Sequence, residues 1–316
     1  MIDDPNPVVL ARDVRAQQAS SRSLERAARD GTRIRPRRGA YVDAETWRAA
    51  SPETRHRFAI DATLGQARSS PVLAFESAAV ALGIPLVGDP PARVHTIVRP
   101  GSAKSNRAVT RTHRELDPRD VVTLDNGWRA TAPAVTALDL AMSRSPLAGI
   151  LAVSHVRRAF GLSAEALLGM LRARTSVRGV ARARLAIARS VPEATSVLEV
   201  LVDVRCADLG FERPRHQVPV RGVDGRDYVC DFAWLGGRVL GESDGEHKYR
   251  DAELRGEASA ADVVVAEKRR EDALRPMCDR FVRLSWRDVW HGEGLERRLS
   301  FAGVPRPGRP ARLLTF

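Results

Sequence analysis

The sequence predicts an α/β (α+β) protein of three successive parts, and three observations carry that expectation. Residues 1–50 hold two short helical patterns, a turn and a small basic hairpin. Residues 55–190 mix strand-like runs with helices. Residues 193–300 read as helix, hairpin, acid-bearing strand, helix, strand and helix, which leaves 301–316 as a tail. A chain of 316 residues can bury a real core in two or three domains, and a hydrophobic content of 43% is that of a globular protein.

Composition narrows the function. No apolar run approaches the roughly 18 residues of a membrane span. The opening "MIDDPNPVVLARDV" carries acids where a signal peptide needs basic and then apolar residues, so a cytoplasmic location is expected. Cys206, Cys230 and Cys278 are odd in number and far apart, which suits neither a disulfide framework nor a zinc cluster. A net charge of +12 favours a polyanionic partner, most simply nucleic acid. Lysine occurs only at positions 104, 248 and 268, and the other basic residues are arginines. Each lysine is therefore of interest as a compact, titratable ammonium.

In the first part, "VVLARDVRAQQ" (8–18) reads as a helix with Val9, Leu10 and Val14 on one side. "ASSRSLERAARDG" (19–31) reads as a second, capped by Ser20 or Ser21 and ended by Gly31. "TRIRPRRGAYV" (32–42) reads as a hairpin with a basic tip. These are the parts of a winged helix-turn-helix, in which the second helix enters a major groove and the wing touches phosphate. Arg22, Arg26 and Arg29 recur at helical spacing, and Arg33, Arg35, Arg37 and Arg38 arm the wing, so these are the expected DNA contacts. The same residues also read as the solvated face of a small helical cap. The order of recognition helix, Gly31 and "RRGAYV", over about residues 6–45, resembles the N-terminal domain of AbiEi-family antitoxins. The resemblance implies a winged-helix transcriptional autoregulator of a toxin–antitoxin system, with DNA and a cognate toxin protein as partners.

In the middle part, "PVLAFESAAVALGIPL" (71–86) reads as a helix ending at Gly83, and 93–99, 108–113 and 120–124 read as strands. "TAPAVTALDLAMS" (131–143) reads as a helix capped by Thr131 with proline in its first turn. His95 and His113 lack metal-ligand spacing and are expected in packing or surface roles. Residues 166–192 carry Arg172, Arg174, Arg178, Arg182, Arg184 and Arg189 with no acid after Glu165, a face that reads as phosphate-tracking or simply solvated.

In the last part, "EATSVLEVLVDVRCADLG" (193–210) reads as an amphipathic helix carrying Glu199, and Gln217 enters a strand. "RDYVCDFAWLGGRVLGESDG" (226–245) reads as a hairpin about Gly236-Gly237. A two-residue loop there places Trp234 opposite Val239 and Asp231 opposite Glu242. Opposed carboxylates destabilise a sheet unless something neutralises them, and a divalent cation would do so. A three-residue loop would slip the register and separate the acids. Glu242, Asp244, Glu246 and Lys248 then alternate along one strand.

The carriers "SVLE", "RHQ", "CDFAW", "GESDGEHKY" and "EKRRED" resemble the PD-(D/E)xK nuclease superfamily, most closely domains related to very-short-patch-repair endonucleases, over about 193–300. The resemblance implies a restriction-endonuclease-like core in which Asp231, Glu242 and Glu199 hold Mg²⁺ (or Mn²⁺) for phosphodiester hydrolysis. Gln217 would position the nucleophile. Asp244 stands where the superfamily has its lysine, so Lys248 or Lys268 would supply the ammonium. The expected function is a metal-dependent DNA endonuclease with its own DNA-binding domain. The alternative is an AbiEi-like regulator whose nuclease fold has lost its chemistry.

Overall fold

The computed structural model describes residues 7–16, 22–67, 70–101, 105, 109–174, 178–244, 268–309, 311 and 313–314. Helix ends follow their capping residues. Ser51, Ser163 and Ser196 each accept the backbone N–H of the third residue of the helix that follows. Gly83 and Gly210 close theirs in the left-handed conformation that glycine adopts without strain, at φ 70° and 77°. The chain forms a mixed α+β fold in two compact units, Met1–Arg144 with Ala159–Ala183, and Ser145–Arg158 with Arg184–Phe316. The N-terminal module and the sheet that follows it belong to the same compact unit.

The first unit opens with β1 (Val9–Leu10), α1 (Ala11–Ala16), α2 (Arg22–Arg29), and the hairpin β2 (Arg33–Arg37) and β3 (Ala40–Asp43). The expected first helix therefore begins as a strand. Val9 and Leu10 pair with Tyr41 and Ala40, giving a sheet in the order β1-β3-β2 and satisfying backbone groups that the hairpin alone would leave open. Leu24 of α2 packs with Ala11 and Tyr41. After α3 (Ala44–Ala49) comes α4 (Pro52–Leu64), whose Phe58 and Ala62 cover Leu10, Ala40 and Val42.

A five-stranded sheet follows in the order β6-β5-β4-β8-β7, made of β4 (Val72–Leu73), β5 (Val94–Val98), β6 (Val109–His113), β7 (Val121–Thr123) and β8 (Arg129–Thr131). Between β4 and β5 lies α5 (Phe75–Leu82), and after β8 comes α6 (Pro133–Ser143). Thr131 does not cap α6: it lies in β8, where its hydroxyl shares a 2.6 Å bond with Thr136. The chain continues through α7 (Pro146–Phe160), which falls almost wholly in the second unit, α8 (Ala164–Arg172), and α9 (Val180–Arg189), which the unit boundary divides. The arginine-rich segment is thus two helices, and part of its charge is structural. Arg174 and Arg114 both grip the buried Asp139, and Arg182 donates to the Met142 carbonyl at 2.6 Å.

The second unit builds on α10 (Val197–Leu209) and a sheet of β9 (Arg215–Arg221), β10 (Asp227–Trp234), β11 (Val239–Asp244) and β12 (Arg280–Ser285), in the order β12-β11-β10-β9. Only β11 and β12 run parallel. Between them, residues 268–274 are helical (α11), and α12 (Trp286–His291) and α13 (Glu293–Phe301) end the fold. Among the described residues, no helix is long and apolar enough to cross a membrane.

The first unit carries a buried polar cluster. Glu76 accepts from Arg144 and lies 2.8 Å from His95 Nδ1, while Ser77 Oγ joins His56 Nε2 at 2.9 Å and takes the His95 backbone N–H. Burial works against ionising Glu76, yet hydrogen bonds from His95 and Arg144 hold its pKa at about 2. Burial, reinforced by His95, depresses His56 to about 4. A group depressed on folding stabilises the folded state above its unfolded pKa and loses that contribution as pH falls. Melting temperatures should therefore drop as pH falls from about 6.5 to about 4, by an amount corresponding to roughly 3 kcal/mol. In His56→Gln the drop across that window should be largely absent.

Candidate functional site

Two groups of residues have the chemistry to act. The first is the basic face of the N-terminal module. Burying Leu24 turns Arg22, Arg26 and Arg29 of α2 outward, and all three are exposed. On the hairpin, Arg35 and Arg38 are exposed and Arg33 is half-buried. Arg37 departs from the expected wing. Strand alternation would align it with Arg33 and Arg35, but the pairing register shifts between Ile34 and Arg37. Its guanidinium lines a cleft instead, with Nη1 buried and without a hydrogen-bond partner among the described residues. Burial, then the nearby Arg111 guanidinium, lowers its pKa.

The second group is a row of acids in the C-terminal unit. The hairpin takes the two-residue register: Trp234 stands opposite Val239 and Phe232 opposite Gly241. Gly236 and Gly237 supply the turn at φ 68° and 100°. Continuing that register brings Asp231 level with Glu242, and both are buried, at 7% and 4% exposure. Each, however, has its own donor. Asp231 Oδ2 accepts from the Ser243 N–H at 2.8 Å and its hydroxyl at 2.5 Å. Glu242 Oε1 lies 2.6 Å from Arg270 Nη2. Burial and then the Glu242 charge push the neighbouring Cys230 thiol up to about 12, so it is no nucleophile.

Glu199, only 2% exposed, has its own donors in Thr195 and in Gln217, whose Nε2 donates at 2.9 Å. Gln217 has φ 49°, a costly conformation for a residue with a side chain. Its consequence is visible one turn along α10. His216 reaches Asp203 at 3.3 Å while Gln217 reaches Glu199, so two consecutive strand residues both meet the same helix. Regular alternation would have sent one of them to the opposite face.

Asp244, at the end of β11, pairs with Arg283 of β12, which also holds Glu271 at 2.9 Å. Lys268 is exposed at the start of the described part of α11. Lys248 and Glu246 lie outside the described residues. Among the described residues, no group of three or more acidic, histidine or cysteine side chains is arranged to hold a metal ion. As placed, Glu199, Asp231 and Glu242 do not fit the expected Mg²⁺ site: Asp231 is taken by Ser243, and a guanidinium already neutralises Glu242. Sequence reasoning missed Arg270 and Arg283, although "EKRRED" contains the first. Nothing local says which arginine of a helix turns toward a strand.

Residues 75–190 match the family described as the AbiEi antitoxin C-terminal domain. The antitoxin resemblance expected over 6–45 is thus carried by the middle of the chain. The crystal structure of RV2827C protein from Mycobacterium tuberculosis is similar at 17% identity and a TM-score of 0.40, covering 58% of this chain and 72% of that one. No curated protein matches the chain significantly.

Removing one partner of a buried ion pair leaves the other charge desolvated. Arg270→Met should cost about 3 kcal/mol of stability in chemical denaturation. Adding Glu242→Gln should restore more than half of it, because the stranded charge is then gone.

Proposed function

We propose that the chain is a DNA-binding transcriptional regulator of the AbiEi antitoxin type, acting beside a cognate toxin. The observation that carries this reading is the antitoxin family match over residues 75–190. The N-terminal module supports it. The element order β1-α1-α2-β2-β3 with sheet order β1-β3-β2 is compatible with a winged helix-turn-helix, and its second helix and hairpin carry exposed arginines.

In this reading α2 lies in a major groove, with Arg22, Arg26 and Arg29 facing bases and phosphates. Arg35 and Arg38, and Arg33 beside them, rest the wing on the backbone. Phosphate contacts by arginine release condensed counterions, so affinity falls steeply with salt. The test is a mobility-shift titration with the DNA upstream of the gene. Arg26→Ala and Arg29→Ala should each weaken binding by roughly 1–3 kcal/mol where a base edge is contacted. Arg35→Ala and Arg38→Ala should weaken it uniformly across sequences and each reduce the salt slope by about 1. Unchanged affinity in all four variants would refute the assignment of this face.

One observation favours a second reading, phosphodiester hydrolysis by the C-terminal unit: three acids, Glu199 of α10, Asp231 of β10 and Glu242 of β11, are buried in it. Because Ser243 and Arg270 already satisfy two of them, we expect DNA binding without cleavage when plasmid DNA is incubated with Mg²⁺ or Mn²⁺. Cleavage abolished by both Asp231→Ala and Glu242→Ala, with DNA binding retained, would instead establish a metal-dependent endonuclease.

A further inference from the structure

The first unit contains a cleft of about 710 Å³ with a composition that its fold does not require. Arg37, Arg99, Arg111, Arg114 and Arg129 line it; Asp139 behind the wall holds Arg114, and no acidic residue is among the described lining residues. Such a gathering is costly, and burial together with Arg111 already depresses the Arg37 guanidinium. Three buried polar atoms on its wall have no hydrogen-bond partner among the described residues: Thr96 Oγ1, Arg37 Nη1 and Arg114 Nε. Thr96 is only 1% exposed and stands opposite Arg111 in the β5–β6 ladder, so its hydroxyl and that guanidinium come from paired positions. Orphaned buried donors at one place call for a missing acceptor.

We propose that this cleft binds a phosphorylated small molecule, a nucleoside di- or triphosphate. Guanidinium forks match phosphate oxygens bidentately, and an uncharged hydroxyl donor beside them suits the same group. Val72, Val98 and Val121 supply an apolar wall for a base. The volume falls in the range of roughly 300–1,000 Å³ usual for small-ligand sites. Duplex DNA offers the same phosphate chemistry, but a concave cleft receives a discrete ligand, whereas a duplex rests on a convex face such as α2 and the wing. The site uses none of the residues assigned to the DNA face above, so the two assignments stand or fall separately.

The test is calorimetric titration of the full chain with ATP, GTP and inorganic phosphate at about 0.15 M salt, where loose surface attraction is screened. Saturable binding of a nucleotide is expected. It should weaken roughly tenfold in Arg37→Gln and in Arg111→Gln, the loss expected for one charge-assisted hydrogen bond. Thr96→Val should weaken it without lowering the melting temperature, since that substitution removes an orphan hydroxyl, while Arg26→Ala should leave it unchanged. No saturable binding up to about 1 mM, or equal binding by wild type and all three cleft variants, would overturn the proposal. So would loss of duplex DNA binding, without any nucleotide binding, in Arg37→Gln and Arg111→Gln. That result would make the cleft part of a DNA surface.

Discussion

Burying a carboxylate strips it of water, and the charge survives only where donors replace the lost hydration. In this protein the replacement is most often an arginine brought from far along the chain. Asp139 of α6 is gripped by Arg114, at the end of the β6 strand region, and by Arg174, beyond α8. Glu76 of α5 is held by Arg144, which also lies 5.2 Å over the Phe75 ring. Asp203 of α10 takes both Arg213 and His216, and Glu242 of β11 takes Arg270. Each pair joins two elements that share no backbone hydrogen bonds, so the packing of helices on sheets depends on these contacts as well as on apolar area. A planar guanidinium with five donors can satisfy both oxygens of a carboxylate at once, which a lysine cannot. The near-exclusive use of arginine is therefore consistent with the way helices and strands are tied together within each unit.

That use also sorts the positive charge. An arginine paired to a buried acid adds nothing to the outer field of the molecule. The surplus of +12 must then come from arginines without such partners. Exposed ones lie on α2 and the β2–β3 hairpin, where apolar residues face inward and leave the polar side to solvent. Counting arginines along the sequence could not separate the two kinds. Residues 166–192 looked like one continuous basic face, yet Arg174 and Arg182 are spent on Asp139 and on the Met142 carbonyl.

Features set by neighbours in sequence were legible in it. Gly83, Gly210 and the Gly236-Gly237 turn announced themselves, and the turn alone determined which residues of β10 and β11 oppose each other. The strands β5, β6 and β7 and the helix α10 followed from periodicity. Features set by distant partners were not legible. Val9 and Leu10 fit a helical pattern, but a strand partner 30 residues away in β3 claims them. The register shift after Ile34 that turns Arg37 inward, and the positive φ of Gln217, depend on what each strand packs against. For the acids, sequence showed that Asp231 and Glu242 would face one another and need a counter-charge. It pointed to a metal, because Arg270 reaches Glu242 only after α11 folds back along the sheet.

The same reasoning separates the two basic regions of the first unit. On α2 and the hairpin, the exposed arginines face water, where a like charge costs little and is screened within about 8 Å at physiological salt. Such a surface is stable as it stands and attracts a polyanion without needing one. In the cleft, burial and then the nearby Arg111 guanidinium lower the pKa of Arg37, and no acidic residue is among the described residues of the wall. Folding keeps that repulsion because the strands carrying these residues are committed by their own ladders, β2 to β3 and β5 to β6. The sheet thus holds a cationic hollow open against its own electrostatics. An anion entering it would recover Coulomb energy already spent in folding, which is the condition for strong binding by a preorganised site.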